Sequence, residues 1–265
     1  MRKSDKNFGS LKRKLNYHYR YFDRTKISPD PLEFPHRFTT EADIEISAFL
    51  SSNFAYGSIR QIINSLEIVH NHMGKSPYDF IINSNERDFH NLSTKLNHRF
   101  YNPNDVKALM LTLQRVYKED RSLRRLFLLY YFETDTNIKY GLSRFSQNLL
   151  ETALHFSEPS HGLKFMFPDP VKGSSCKRMN LFLRWMVRKD DLDFGFWKEI
   201  DTSKLIIPVD THVAQICKQL KLTKRKIADW KMAEEITENL KLFDSKDPVK
   251  YDFAICHIGI RKMEF

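Results

Sequence analysis

The sequence predicts an all-α protein. Apolar residues recur at helical spacing through most of the chain. No run of strict apolar–polar alternation appears, so no strand is expected. Glycine is scarce, 8 of 265 residues, which argues against sandwiches, barrels and glycine-rich nucleotide folds. Neither GxGxxG nor GxxxxGKS/T occurs, so two common phosphate cradles are absent.

The elements follow in order. Residues 1–26 form a basic head, with nine Lys or Arg against Asp5 and Asp23 and with Tyr17, Tyr19, Tyr21 and Phe22 interleaved. It reads either as a solvated helix or arm, or as a contact to a DNA backbone. Pro29, Pro31 and Pro35 make residues 27–38 an extended connector. Thr39 or Thr40 then caps a helix whose first turn is acidic. Helices are expected at 41–54, 57–72, 76–83, 85–98, 103–118, 121–132, 139–156, 174–189, 211–220, 226–242 and 248–260. The last follows Asp247-Pro248, an N-cap with proline at the first helical position. Pro159, Pro168 and Pro170 make 157–173 a long loop. The expected organisation is a basic arm and connector (1–39), a helical bundle (40–165), a hairpin–helix element (166–194) and a C-terminal helical lobe (195–265) that packs with the arm.

Composition narrows the function. Apolar residues are 41% and aromatics 13%, enough for a sizeable core. Lys and Arg number 43 against 33 Asp and Glu, a net charge of +10 that suits a polyanionic partner. The N-terminus has no apolar signal region, and the longest apolar run, Leu126–Phe132, is far too short to span a bilayer. A cytoplasmic protein is expected, with any membrane role limited to surface attraction. Cys176, Cys217 and Cys256 are too few and too far apart for a disulfide framework, a CxxC zinc clip or a four-cysteine iron–sulfur cluster. They read as reduced, mostly buried thiols. No metal and no cofactor are expected.

Two segments stand out. Pro170 to Trp185 is a tight polar turn feeding an apolar helix. Gly173, Ser174 and Ser175 there leave backbone N–H groups at a helix N-terminus, an arrangement suited to phosphate. Residues 171–189 hold six basic side chains, Lys172, Lys177, Arg178, Arg184, Arg188 and Lys189, and no acid. The second segment, Ile206-Ile-Pro-Val-Asp-Thr-His-Val, delivers Asp210 to the start of another helix. Five basic residues and no acid lie between 211 and 228. From spacing alone Asp210 is equally an N-cap, Lys177 a solvated lysine, and His212 a first-turn residue without metal-ligand partners.

These segments resemble the helix-hairpin-helix (HhH-GPD) DNA glycosylases. Pro208-Val-Asp-Thr-His-Val is similar to that superfamily's signature, in which an aspartate opens a helix. The Gly173 turn with Lys177 resembles its hairpin, where bifunctional members carry a catalytic lysine. Phe49-Leu-Ser-Ser-Asn-Phe-Ala-Tyr-Gly-Ser-Ile-Arg resembles the early helix-to-loop segment of 8-oxoguanine glycosylases, whose asparagine enters the duplex; Asn53 matches it. The chain also looks like an uncharacterised bacterial family of similar length in the superfamily. Gly173 is followed by Ser-Ser-Cys where the family shows Gly-x-Gly, and Lys177 and Asp210 are 33 positions apart. That gap is similar to the archaeal 8-oxoguanine branch and longer than in endonuclease III.

The resemblance implies a two-lobed HhH-GPD fold with the hairpin at its cleft, acting as a monomer on duplex DNA that contains a damaged base. The implied reaction is excision, most naturally of an oxidised purine, with AP-lyase activity through a lysine imine. Asp210 would face the positive charge that develops at C1′. Lys177, with Arg178, Lys172 and a helix N-terminus around it, would attack as a neutral amine. Lys172, Gly173, Ser174, Ser175, Arg178 and His212 would contact DNA, as would Asn53. The flipped base needs a wedge and a pocket, for which Asn53, Phe54 and Tyr56 are candidates. Phe253 and His257, four apart on the last helix, are candidates for a further wall. Two rival readings remain: a DNA-binding protein of this fold without catalysis, and an RNA-binding protein using the same basic surface.

Overall fold

A computed structural model describes residues 3–261, with side chains over 9–259. Arg2 and the side chains of Lys3 and Lys6, counted above in the basic head, lie outside the described residues. The described residues are all-helical, with isolated bridges but no β-strand. The helices are α1 (Lys3–Tyr21), α2 (Glu41–Phe54), α3 (Ile59–Met73), α4 (Pro77–Asn83), α5 (Glu86–Ser93), α6 (Pro103–Glu119), α7 (Leu123–Leu128), α8 (Lys139–Leu154), α9 (His161–Met166), α10 (Lys177–Val187), α11 (Thr211–Gln219), α12 (Trp230–Lys241) and α13 (Asp252–Arg261). Among the described residues, no helix is long and apolar enough to cross a membrane.

The chain forms two compact units. One contains the residues through Ile27, Thr136–Ile138, and those from Lys172 onward; the other contains Ser28–Asp135 and Lys139–Val171. The second is built around α2, which is buried from Asp43 to Phe54. Thr40 caps α2 by accepting from the Asp43 N–H. The Asp43 carboxylate accepts in turn from Ser76 Oγ and the Tyr78 N–H, tying α2 to the start of α4. Glu45, also buried, accepts from Tyr117 Oη at 2.5 Å and from the Leu123 N–H at 2.8 Å. An ionised carboxylate is tolerated inside only with such partners. Asn85 with Asp88, and Asn102 with Asp105, form capping boxes that start α5 and α6.

In the other unit α11 packs on α13, and α1 packs on α13 and on the short 3₁₀ turn Pro248–Tyr251. The basic head is therefore a helix with one buried side. Leu15 and Phe22 are in the core, and Asn16 Oδ1 accepts from Tyr251 Oη.

Several helix limits differ from those expected. Residues 161–166 are helical, within the stretch expected as a loop, because Ser160 Oγ accepts from the Leu163 N–H and starts α9 despite the nearby prolines. At Gly162 the packing is close: an added Cβ would lie 2.7 Å from Phe100 O and against the Asp105 carboxylate. The helix expected at 85–98 ends at Ser93, and that expected at 226–242 begins at Trp230, with Asp229 accepting from the Met232 N–H. The helix expected at 174–189 begins at Lys177. Ser174 is held in an isolated bridge to Asp229, and Gly173 O accepts from the Trp230 N–H. Cys176 then adopts a left-handed conformation, φ +49°, before α10 starts.

Candidate functional site

The segment 205–209 is buried and extended. The Ile207 N–H donates to Thr237 Oγ1 at 3.0 Å. This anchored strand-like run brings Asp210 to the N-cap of α11, where Oδ1 accepts from the Val213 N–H at 2.9 Å. Ser175 Oγ donates to Val209 O at 3.3 Å, which fastens the turn before α10 to the same run. Lys177 is the first residue of α10, and its Nζ lies 3.1 Å from Asp210 Oδ2. Residues 33 apart in sequence thus form one pair. Their side chains are 28% and 22% exposed, so the pair reaches solvent without being solvated on all sides.

Burial pushes the Asp210 carboxyl up, but the Lys177 charge and the Val213 N–H outweigh it and hold the group below its ordinary range. The carboxylate is therefore ionised at neutral pH. Lys177, expected among cations, faces a carboxylate instead, and an ion pair favours its ammonium form. A neutral amine here requires the proton to pass to Asp210 or to solvent.

Sequence reasoning missed what stands behind this pair. Arg184, two turns further along α10, is 2% exposed. Its Nη1 donates to Asp252 Oδ2 at 2.5 Å, and its Nη2 to Asp193 Oδ1 at 3.0 Å. Arg188 pairs with Asp193, with Asp190 at 2.9 Å and with both oxygens of Asp247 at 2.8 and 3.0 Å. Burial works against the Arg184 charge, but Asp193 and Asp252 overcome it. Asp252 is pushed up to about 6 by burial; Arg184 offsets part of this, and Asp210 and Asp193 add like charge. Burial also pushes the Cys217 thiol far up, with Asp252 and Asp210 adding to it, so it is no nucleophile. The available signal was two arginines inside the apolar run Leu181–Val187 and just after it, followed by five acids from 190 to 201.

This network corrects the acid-free basic stretch. Arg184 and Arg188 are buried and matched by carboxylates distant in sequence, and Arg178 is buried as well. The surface cations at this end are fewer than the count implied. Lys172 and His212 are exposed, as is Gly173, whose φ of +93° suits glycine. Ser174 and Ser175 are half-buried, and both hydroxyls are already used: Ser174 Oγ accepts from the Cys176 N–H at 3.2 Å.

Three of the four base-pocket candidates, Phe54, Phe253 and His257, are buried. Phe253 and His257 do share a face, their rings stacked 4.0 Å apart, but Phe22 covers both. In the other unit Asn53 is fully buried in the last turn of α2, where its Nδ2 donates to Phe49 O at 3.0 Å. That side chain is turned back into its own helix rather than toward solvent. Phe54 is buried against His98 and Tyr101. Tyr56 is half-buried and donates from its hydroxyl to His98 O at 2.8 Å. Among the described residues, no group of three or more His, Cys, Asp or Glu could hold a metal ion.

Residues 30–261 match the model of a family described as a protein of unknown function, DUF2400, and the chain belongs to that family. No curated protein and no solved structure matches.

Proposed function

We propose that this protein releases a damaged base from DNA, with an oxidised purine as the first class to test, through Lys177 and Asp210. The observation that carries the reading is the 3.1 Å contact between Lys177 Nζ and Asp210 Oδ2. It joins an amine and a carboxylate, each at a helix start and each reaching solvent. The surrounding chemistry is suited to it. Lysine can give up its proton, whereas the arginines nearby cannot.

In the proposed sequence, the Lys177 ammonium passes a proton to Asp210. The free amine attacks C1′ of the target nucleotide as the glycosidic bond breaks, and the base leaves with the bonding pair and takes up the proton held by Asp210, which returns Asp210 to its carboxylate form. A proton then moves from the attached nitrogen to O4′ as the sugar ring opens, which gives a protonated imine. Removal of a C2′ proton then expels the 3′ phosphate. A carboxylate at Asp210 would also favour the positive charge that develops at C1′, an effect typically worth about 10²–10³ in rate for one well-placed electrostatic group. The net charge of +10 favours the approach of a polyanion and implies salt-sensitive affinity.

Borohydride reduction on duplexes carrying a panel of lesions, and on abasic duplex, tests the reading. The wild-type chain should be trapped covalently, and Lys177→Gln should bind DNA without being trapped. Binding without base release or trapping on any member would instead make this a DNA-binding protein without turnover. Preference for structured RNA over duplex DNA would favour the RNA-binding reading.

A further inference from the structure

The turn His98–Tyr101 is anchored at both ends and offers its tip to solvent. His98 is fully buried. Its Nε2 lies 3.1 Å from Tyr56 O and so carries the proton, which leaves Nδ1 to accept from Ser65 Oγ at 2.8 Å. His98 O accepts from Tyr56 Oη and from the Tyr101 N–H, and Tyr101 Oη donates to Asn53 O at 2.9 Å. Between these anchors Arg99 sits at φ +49°, a left-handed conformation costly for a side chain of this size. Five hydrogen bonds around it over-determine the turn.

What the turn presents is an aromatic and a cation. Phe100 is 45% exposed. Tyr56 lies behind it, the rings 7° from parallel and 6.0 Å apart, and the Phe165 and His161 rings meet it edge-on. The Arg99 guanidinium is 5.3 Å from the Phe100 ring. Gly57, at φ +104°, leaves room for the stem of Arg99, since a Cβ there would approach its Cδ to 3.0 Å. Beside the turn runs an open polar groove. Its lining includes Arg60, Asn64, Lys95 and Asn97, together with the Ser65 that holds His98, and it contains no acid. A flat apolar face held rigidly next to cations is the combination that binds unpaired nucleotides. The base stacks without demand on its identity, and the phosphates follow the basic groove.

We propose that Phe100 with Arg99 is a stacking platform for an unpaired base of single-stranded DNA, whose phosphates lie along Arg60 and Lys95. The site is distinct from Lys177 and Asp210 and does not depend on catalysis there. A base laid on Phe100 would extend the stack that Tyr56 begins.

Affinity of the full chain for a labelled short oligothymidylate and for a blunt duplex tests this. Phe100→Ala should weaken the single strand about tenfold, within the range for loss of one base–aromatic stack, and leave the duplex within about twofold. Phe100→Leu, which keeps apolar packing but loses the flat face, should behave like Phe100→Ala, and Phe100→Trp should bind at least as well as wild type. Arg60→Gln should lower the salt slope by about one. Equal weakening on both DNAs, wild-type affinity in Phe100→Leu, or no single-strand binding would overturn the proposal. Tighter binding of the matching RNA would overturn the assignment to DNA. Single-strand affinity and its dependence on Phe100 are read separately from trapping at Lys177. Absent trapping with Phe100-dependent binding would therefore sink the excision reading alone.

Discussion

The two ends of α10 carry the same pairing of cation with carboxylate in opposite settings. At the N-terminal end Lys177 meets one carboxylate, Asp210, and both reach solvent. Toward the C-terminal end Arg184 and Arg188 are buried among Asp190, Asp193, Asp247 and Asp252. A guanidinium stays charged and satisfies several oxygens in a fixed fork, which suits a framework. An ammonium beside a carboxylate and within reach of water can transfer its proton, which suits chemistry. The buried end fixes where α10 and α13 lie in their unit, and the open end is left to act.

The contrast breaks most sharply in stability. Arg184→Met leaves the buried Asp252 without its cation and Asp193 with Arg188 alone, and should cost about 3–5 kcal/mol in urea unfolding. Lys177→Met should cost less than about 1 kcal/mol, because its partner keeps the Val213 N–H and solvent. Equal losses would show that the two ends are not different in kind.

Acidity sharpens it next. Asp252 is held up to about 6, so between that pH and the ordinary carboxyl range the folded chain binds the proton more readily than the unfolded one. Its contribution to stability therefore rises as pH falls through this window. Asp210, held below the ordinary range, contributes stability at higher pH that is lost as pH falls through its folded value. Asp252→Asn removes the first effect. Its stability relative to wild type should increase by about 2–3 kcal/mol from pH 4 to pH 7. A pH-independent difference would count against the buried assignment. In the other unit His70, buried and lowered to about 4, works in the reverse sense. Its stabilisation is complete above pH 6.5 and is lost on acidification toward 4.

Asp210→Asn keeps a side-chain oxygen for the Val213 N–H and should leave the melting curve nearly unchanged. If the pair is catalytic, base release should fall about 10²-fold or more. Full turnover in this variant would reduce Asp210 to a cap. A smaller effect than at Arg184 is expected at Asn53. Asn53→Ala loses the bond to Phe49 O and should destabilise its unit by about 1–2 kcal/mol. It should weaken lesion-bearing and undamaged duplexes alike, and selective weakening of the lesion duplex would make it a wedge.

Much of the helical plan was legible locally. Thr40, Asn102-Pro103 and Asp210 announce helix starts by side-chain oxygens placed where the first N–H groups need acceptors. Ser160 carried the same signal, but three prolines around it outweighed it in a local reading. Asp210 and Lys177 were legible as candidates through their motif segments, and their contact was not. Arg184 and Asp252 were illegible for a related reason. The partners are 68 residues apart, and a charge counted along the chain does not reveal which carboxylate neutralises it. Phe100 escaped notice because nothing local separates an exposed aromatic from a core one.

The sequence by itself determined the all-α class, most helix starts, and the charge of +10, since each follows from spacing, capping or counting. Tertiary structure decided which of those charges remain available. It buried Arg178, Arg184 and Arg188, turned Asn53 into the core, paired Lys177 with Asp210 and left Arg99 and Phe100 at the tip of a pinned turn. The reason is desolvation. Whether a charged or aromatic group is spent inside or kept for a partner depends on neighbours that arrive from distant parts of the chain, and only the folded packing brings them together.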